Sequence, residues 1–281
     1  MYRIASKEYL NKQNCKMSLE EPNIARAAKP GQFVVIRVDE TGERIPVTIF
    51  NADSQKGTIT VIFQEVGTTT FKLGSLKTND KVLDLVGPLG RPTDIKKYGT
   101  VVCIGGGVGA AEIYPGAKAL KNAGNEVITI IGARTKELLI LEEELGKVSD
   151  KLYVTTDDGS YKRKGFVTDV LKELLNSANK KINIVFAVGP VPMMKAVCDL
   201  TKMPGIETIV SLNSNMVDAT GMCATCRVTV GGKIKFACVD GPEFDGHLVD
   251  FEELMWRNNR FLKEEKKSLE LFKHKCKLER N

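Results

Sequence analysis

Short apolar runs alternate with segments of helical periodicity from residue 100 to residue 212, and this alternation constrains the fold more than any other feature. It predicts strands over 101–107, 126–134, 151–159, 182–190 and 207–212, and helices over 110–124, 136–148, 166–178 and 193–202. Strands joined by helical crossovers run parallel, and parallel strands are buried on both faces, which explains the unbroken apolar runs. The segment is therefore predicted to form a doubly wound parallel sheet.

The first 97 residues follow a different pattern. Runs rich in β-branched residues are separated by Gly, Asp and Asn turns, and lie at 32–38, 45–50, 57–63 and 81–87. Evenly spaced short strands of this kind are typical of a small antiparallel β-barrel. We therefore predict an α/β plus all-β chain in three parts: an antiparallel β-barrel over 1–97, a doubly wound nucleotide-binding domain over 98–212, and a small segment with a helical tail over 213–281.

A glycine-rich turn follows the first strand of the predicted parallel sheet. It comprises Gly105, Gly106, Gly107, Val108 and Gly109, and with Ala110 it matches the G-x-G-x-x-[GA] pattern of dinucleotide sites. Glycines at such a turn let a pyrophosphate approach the backbone at a helix N-terminus. Arg134 ends the second strand, where NAD-binding domains usually carry an acidic residue, and the choice between NAD and NADP stays open.

Three cysteines and one aspartate in the last segment have the spacing of a metal site. Asp218, Cys223, Cys226 and Cys238 follow the pattern of plant-type two-iron clusters, C-x4-C-x2-C and a more distant cysteine, with aspartate in the first position. The sequence predicts a [2Fe-2S] cluster on these four residues. Structural zinc is the alternative, since it also favours C-x2-C pairs, although neither histidine stands at a zinc-like spacing from them.

Composition excludes several classes of partner. The net charge is only +6, and the basic C-terminal region carries no nucleic-acid motif, so we expect no nucleic-acid partner. No run approaches the roughly 20 apolar residues that span a bilayer, so we expect no membrane association. The N-terminus lacks the apolar core of a signal peptide, and the seven cysteines fit a reducing compartment. We therefore expect a cytoplasmic protein.

The order of barrel, nucleotide domain and cluster segment resembles the ferredoxin–NADP reductase superfamily. The string RIPVTI is similar to the flavin-binding strand of that superfamily, and Gly67, Thr68 and Thr69 are similar to its flavin phosphate loop. The resemblance implies FAD bound in the barrel by Arg44, Pro46, Val47, Thr48 and Phe63. It also implies a nicotinamide nucleotide bound by the glycine turn, by Asp157 and Asp158, and by the turn at Gly189 and Pro190.

Within the superfamily the chain resembles the branch that carries a cluster domain after the reductase. That branch includes electron-transfer subunits of dihydroorotate dehydrogenase, which usually have four cysteine ligands, and small subunits of electron-bifurcating NADH-dependent reduced ferredoxin:NADP+ oxidoreductases. The aspartate at position 218 favours the second group. This resemblance implies hydride exchange between NAD(H) and FAD, with NADP(H) left open. It also implies electron transfer through the cluster to a larger flavin and iron–sulfur subunit, and through that subunit to ferredoxin.

Two other functions remain open from the sequence. The first is the electron-transfer subunit of an NAD-dependent dihydroorotate dehydrogenase. The second belongs to another class, a zinc-stapled binding protein without redox activity. We assign no side chain as a catalytic acid or base, because the cofactors supply the chemistry.

Overall fold

A computed structural model of the protein describes residues 1–177 and 181–278. The N-terminal part is a curled seven-stranded antiparallel sheet with two short helices. Its elements are β1 (Tyr2–Tyr9), β2 (Asn14–Glu20), α1 (Pro22–Ala27), β3 (Phe33–Arg37), β4 (Arg44–Asp53), β5 (Thr58–Gln64), α2 (Thr68–Ser75), β6 (Lys81–Val82) and β7 (Asp84–Leu89). The strand order is β6-β1-β2-β5-β4-β3-β7, so the two edge strands are neighbours in the sequence. This connection curls the sheet into the predicted barrel-like shape.

The middle part is the predicted doubly wound sheet. Its elements are β8 (Thr100–Gly106), α3 (Gly109–Asn122), β9 (Glu126–Ala133), α4 (Glu142–Lys147), β10 (Lys151–Thr156), β11 (Arg163–Lys164), α5 (Val167–Asn176), β12 (Ile184–Val188), α6 (Val191–Lys202) and β13 (Glu207–Ser211). The strand order is β11-β10-β9-β8-β12-β13, and all these strands are parallel. The chain adds strands on one side of β8 first and then, from β12, on the other side, so the order reverses between β8 and β12. Ligands of such folds bind at this switch point, beyond the carboxyl ends of the strands.

The last part adds a hairpin, one more strand and two helices. They are β14 (Arg227–Val230), β15 (Lys233–Phe236), β16 (Glu243–Asp245), α7 (Phe251–Asn258) and α8 (Leu262–Leu278). The predicted hairpin before the last cysteine is confirmed, and its two-residue turn consists of Gly231 and Gly232 at positive φ. β16 pairs antiparallel with β13 and so forms the edge of the parallel sheet. The cluster segment is therefore built into the nucleotide-binding sheet.

An aromatic stack joins the barrel to the nucleotide-binding part. The rings of Phe50 on β4 and Tyr114 on α3 lie 4.6 Å apart at an interplanar angle of 22°. Phe50 is also part of the hydrophobic core that covers one face of the parallel sheet. Offset aromatic stacks of this kind contribute about 1 kcal/mol beyond the area they bury. The contact fixes β4 against the first turns of α3.

Three of the predicted elements differ from the structure. The helix predicted over 136–148 is interrupted: Lys136–Leu138 forms only one 3-10 turn, Leu141 adopts a left-handed conformation (φ 60°), and α4 begins after it. The strand predicted over 81–87 is two strands, because β6 pairs with β1 and β7 pairs with β3 on opposite edges of the sheet. The helix predicted over 166–178 ends at Asn176 in the structure, and residue 178 lies outside the described residues.

Candidate functional site

A cleft of about 720 Å³ opens at the switch point of the parallel sheet. Its walls come from the ends of β8, β9, β10 and β12 and from the barrel. The residues predicted from the sequence that line it are Gly106, Gly107, Val108, Arg134, Asp157, Gly189 and Pro190. The fold therefore gathers loops that are up to 84 residues apart, from Gly106 to Pro190, around one cavity.

Three glycines shape the turn from β8 into α3. Gly107 lies at φ +58°, which favours glycine, and no atom lies within 4 Å of the place where its Cβ would be. A Cβ on Gly109 would lie 2.4 Å from the carbonyl oxygen of Val188, so this position tolerates no side chain. Gly105 is restricted in the same way by the backbone of Ala110. The loop thus lets α3 begin directly against β12.

Charged residues stand at the far edge of the cleft. Burial raises the pKa of Asp157, the neighbouring Asp158 raises it further, and the guanidinium of Arg134 opposes the rise. Asp158 does not line the cleft, and its carboxylate accepts a hydrogen bond from the backbone of Ser160 at 2.9 Å. Arg134 and Asp157 are the two charged side chains predicted from the sequence that line the cleft.

The residues predicted to bind flavin divide between the two faces of β4 and β5. Arg44 and Pro46 are exposed and Thr48 is partly buried on one face of β4. Val47 points to the other face, and both Val47 and Phe63 belong to the hydrophobic core of the barrel. The outward face of β4 thus presents a cation, a rigid ring and a hydroxyl in a row, spaced two residues apart, as expected for a strand.

The predicted flavin phosphate loop is the N-terminus of α2. The hydroxyl of Thr70 accepts hydrogen bonds from the backbone N–H groups of Val66 and Gly67, both at 3.0 Å. Thr69 is buried and donates to Glu43, and the hydroxyl of Thr68 lies 3.0 Å from that of Ser268 on α8. A helix N-terminus with hydroxyls suits an anionic group.

The hairpin of β14 and β15 brings two of the predicted cluster ligands together. Cys226 and Cys238 flank the hairpin, are buried, and have their sulfur atoms 3.2 Å apart. This distance exceeds the roughly 2.05 Å of a disulfide, so both are free thiols. Burial raises the pKa of Cys238 to about 12, a hydrogen bond and charge interaction with Cys226 add to the rise, and a hydrogen bond from the backbone of Gly221 opposes it.

The other two predicted ligands lie in the loop that precedes the hairpin. The carboxylate of Asp218 accepts hydrogen bonds from the backbone N–H groups of Thr220 and Cys223, both at 3.0 Å. These interactions lower the pKa of Asp218: the hydrogen bond from the Thr220 backbone has the largest effect, and a hydrogen bond from the Cys223 thiol has the next largest. Cys223 is exposed. Within residues 1–177 and 181–278, no three His, Cys, Asp or Glu side chains are grouped closely enough to hold a metal ion.

The chemistry of this donor set fits an iron–sulfur cluster. Three thiols and a carboxylate belong to one loop and one hairpin, and two of the thiols already face each other. The bond from the Gly221 backbone to the sulfur of Cys238 is of the kind that tunes cluster potentials. The four residues therefore remain the predicted ligands.

Other elements contribute polar residues to the cleft that no sequence motif predicted. These are Asn14, Gln64, Glu112, Thr168, Ser211 and Asn213. The Oδ1 atom of Asn14 is buried and has no hydrogen-bond partner among the described residues. Asn14 and Gln64 belong to the barrel, so no local motif could have indicated that they face a nucleotide loop.

Comparison with protein families agrees with this geometry. Residues 213–250 match the iron–sulfur cluster binding domain of dihydroorotate dehydrogenase B, and residues 103–199 match the oxidoreductase NAD-binding domain. The first match covers all four predicted cluster ligands, and the second covers the glycine loop.

Full-length relatives decide the family. A Thermotoga maritima protein, described as a homolog of the electron-transfer subunit of dihydroorotate dehydrogenase B (NAD(+)), is 50% identical over 90% of this chain and 89% of its own length. The electron-transfer subunit of Fusobacterium nucleatum is 33% identical over 86% and 94%. The chain belongs to the family of dihydroorotate dehydrogenase B electron-transfer subunits. It is an electron-transfer subunit of the oxidoreductase class, and this prediction is confirmed.

A solved structure matches the chain along nearly its whole length. A chain from the structure of NADH-dependent reduced ferredoxin-NADP oxidoreductase, studied for flavin-based electron bifurcation, is 47% identical, with a TM-score of 0.91 over 97% of this chain and 98% of that one. The predicted reductase-like fold and the cofactors FAD, an iron–sulfur cluster and NAD(H) are confirmed. An electron-transfer subunit also implies a larger partner subunit. Among the described residues, no helix is both long and apolar enough to cross a membrane.

Proposed function

We propose that the chain is the NAD(H)-side subunit of an electron-bifurcating ferredoxin:NADP+ oxidoreductase. The match along the whole chain to the oxidoreductase structure carries this proposal, since it includes the barrel, the nucleotide-binding sheet and the cluster segment together. When bound, the flavin would supply hydride exchange with the nicotinamide, and the cluster would supply single-electron transfer. The larger partner subunit would then connect this chain to ferredoxin.

The protein's contribution is to bind and orient the cofactors. The glycine loop and the N-terminus of α3 suit the pyrophosphate of a dinucleotide, and the turn at Gly189 and Pro190 lies directly beside the loop and lines the same cleft. Arg44, Pro46 and Thr48 would hold the flavin ring, and Gly67, Thr68 and Thr69 its phosphates. Asp218, Cys223, Cys226 and Cys238 would hold a [2Fe-2S] cluster, whose thiolates fit a reducing cytoplasm.

We propose NAD(H) rather than NADP(H) as the nucleotide. Asp157 lines the cleft beside Arg134, and a carboxylate there can accept hydrogen bonds from a ribose 2′-hydroxyl. The same carboxylate would repel a 2′-phosphate and would offset the attraction of Arg134. Tighter binding of NADH than of NADPH is the expected result in a direct titration.

A second candidate function is electron transfer within a dihydroorotate dehydrogenase. The description of the family domain matched by residues 213–250 favours it. The two candidates predict different partners: a second iron–sulfur flavoprotein for the bifurcating enzyme, and a dihydroorotate-oxidising flavoprotein for the other.

The first test is the cofactor content of the anaerobically purified protein and of its native complex. We expect one FAD with two irons and two acid-labile sulfides per chain, and flavin that NADH reduces. Cys226→Ser should lose iron and keep FAD, whereas Cys103→Ala, in the core of β8, should keep both. Zinc without flavin or iron would contradict the proposal. Reduction of the native complex by dihydroorotate would favour the second candidate.

A further inference from the structure

A second, much smaller cavity lies where the three parts of the chain meet. It has a volume of about 20 Å³, enough for roughly one water molecule. Thr48 of the barrel, Glu112 of α3, and Glu243 of β16 all line it. Two carboxyl groups from different elements therefore share one nearly closed space with the hydroxyl of the predicted flavin strand.

The surroundings of both carboxyl groups favour their protonated form. Burial raises the pKa of Glu112 to about 7, and no hydrogen-bond or ion-pair partner of this side chain is found among the described residues. Burial also raises the pKa of Glu243 to about 7, although Glu243 accepts a hydrogen bond of 2.7 Å from Thr93. The charged or titratable groups near Glu243 are Asp94 and the Cys103 thiol of β8. Within the described part of the chain, no cation compensates either carboxylate.

Glu112 connects this cavity to the nucleotide cleft. Its side chain lines both spaces, as do Val188 and Ser211. The stack of Phe50 on Tyr114 holds β4 and α3 together two residues beyond Thr48 and Glu112. Glu112 is therefore fixed between the position proposed for the flavin and the position proposed for the nicotinamide.

The proposed electron path produces a proton that has to leave. A hydride carries two electrons and one proton. An iron–sulfur cluster accepts the electrons singly and takes no proton. Each hydride that passes from NADH to the cluster by way of the flavin therefore leaves one proton at the flavin, and a base is needed to receive it.

We propose that Glu112 receives this proton and passes it through the small cavity to Glu243. The inference rests on the proposed function. Glu112 is within the cavity that Thr48 also lines, and Glu243 lies beside the surface residue Asp94, whose side chain is 71% exposed. The carboxylate of Glu112 would gain the proton as the second electron leaves the flavin. It would return the proton to water at the surface through Glu243. In the reverse direction the same pair supplies the proton.

The test separates hydride transfer from electron exit in the flavin- and cluster-loaded protein. NADH reduces the flavin in a stopped-flow experiment, and the cluster is then oxidised by an external one-electron acceptor. For Glu112→Gln, we expect flavin reduction within about twofold of the parent and electron exit slowed on the order of 100-fold, as for loss of a general base. Glu143→Gln, an exposed glutamate on α4, is the control and should change neither step.

An infrared titration provides a readout independent of turnover. The protein should show protonated carboxyl absorption from Glu112 and Glu243 that disappears with a midpoint near pH 7, and Glu112→Gln should remove the part that belongs to Glu112. Equal slowing of both kinetic steps, or electron exit unchanged in Glu112→Gln, would overturn the proton role while leaving the proposed function intact. Failure of NADH to reduce the flavin of the parent protein would instead contradict the proposed function.

Discussion

Asp218 occupies the first position of the C-x4-C-x2-C pattern of plant-type clusters, and its carboxylate accepts two backbone hydrogen bonds within the loop. As a ligand it would bring a hard oxygen in place of a thiolate, and ligand identity is one of the main determinants of cluster potential.

We expect Asp218→Cys to keep its iron and to shift the cluster midpoint potential by on the order of 100 mV, measured by redox titration followed by electron paramagnetic resonance. Asp199→Asn, in an exposed ion pair with Lys195 on α6, serves as control and should leave the potential unchanged. An unchanged potential in Asp218→Cys would mean that Asp218 only shapes the loop.

Glu112 should also make the stability of the fold depend on pH. Its pKa is about 7 in the folded chain and near 4.5 when unfolded, so the folded state binds the proton more tightly. The contribution of Glu112 to stability is therefore fully present below pH 4.5 and is lost as the pH rises towards 7. Glutamine cannot ionise, so Glu112→Gln should be more stable than the parent at pH 8, on the order of 2 kcal/mol, and similar near pH 4.5. Thermal unfolding at both pH values measures this, and equal shifts at both would contradict it.

Residue types and spacings in the sequence were enough to predict the nucleotide loop and the cluster segment, because each is local. They could not predict the role of Asn14, Glu112 or Glu243. Glu112 meets Asn14 in the cleft and Glu243 in the small cavity only when β2, α3 and β16 fold together, and each one alone looks like an ordinary polar residue.

At the level of elements, the close approach of α3 to β12 is the most demanding contact at the cleft. Gly109→Ala would place a Cβ 2.4 Å from a backbone carbonyl that cannot move away easily. We expect destabilisation of about 1–3 kcal/mol and at least a roughly tenfold weaker affinity for NADH, by thermal unfolding and fluorescence titration.

Gly116→Ala is the matched control on the same helix. No atom lies within 4 Å of the place that the added methyl group would take, so alanine should be neutral or stabilise α3 by about 0.5–1 kcal/mol. Similar losses in both variants would show that helix propensity, and not the contact with β12, limits the site.

We expect the Gly231–Gly232 turn to determine whether Cys226 and Cys238 meet, because it closes the hairpin that these two cysteines flank. Gly231 has φ +58°, which β-branched residues resist and asparagine tolerates. We expect Gly231→Val to lower the iron content by more than half and Gly231→Asn to retain it, by iron and sulfide analysis. Full iron content in the valine variant would show that the loop, not the hairpin, assembles the ligands.

Hydrophobic periodicity in the sequence predicted most helices and strands, but it did not predict which strands would pair with each other. Residues 81–89 pair first with β1 and then with β3, which no pattern within that run reveals. The break at Leu141 likewise arises from tertiary packing, since that side chain is buried under the parallel sheet instead of continuing a helix.

For the whole molecule, we expect the Phe50–Tyr114 stack to hold the barrel at a fixed distance from the nucleotide cleft. Tyr114→Ala should slow flavin reduction by NADH on the order of tenfold, because small misplacements of reacting groups are costly, while NADH affinity changes little. Tyr114→Phe preserves the stack and should behave like the parent in the same stopped-flow assay. Equal rates in both variants would mean that other contacts align the two parts.

The pairing of β16 with β13 bears on how such reductases can be recombined. A chimera cut at residue 213 would leave β13 as a bare edge, open to pairing with other chains, and would send the iron–sulfur loop to its new host without its anchoring strand. The cluster loop therefore cannot be moved to another protein by itself. Grafting it onto another flavoprotein requires moving the sheet and the loop as a single unit, from residue 98 through the end of α7.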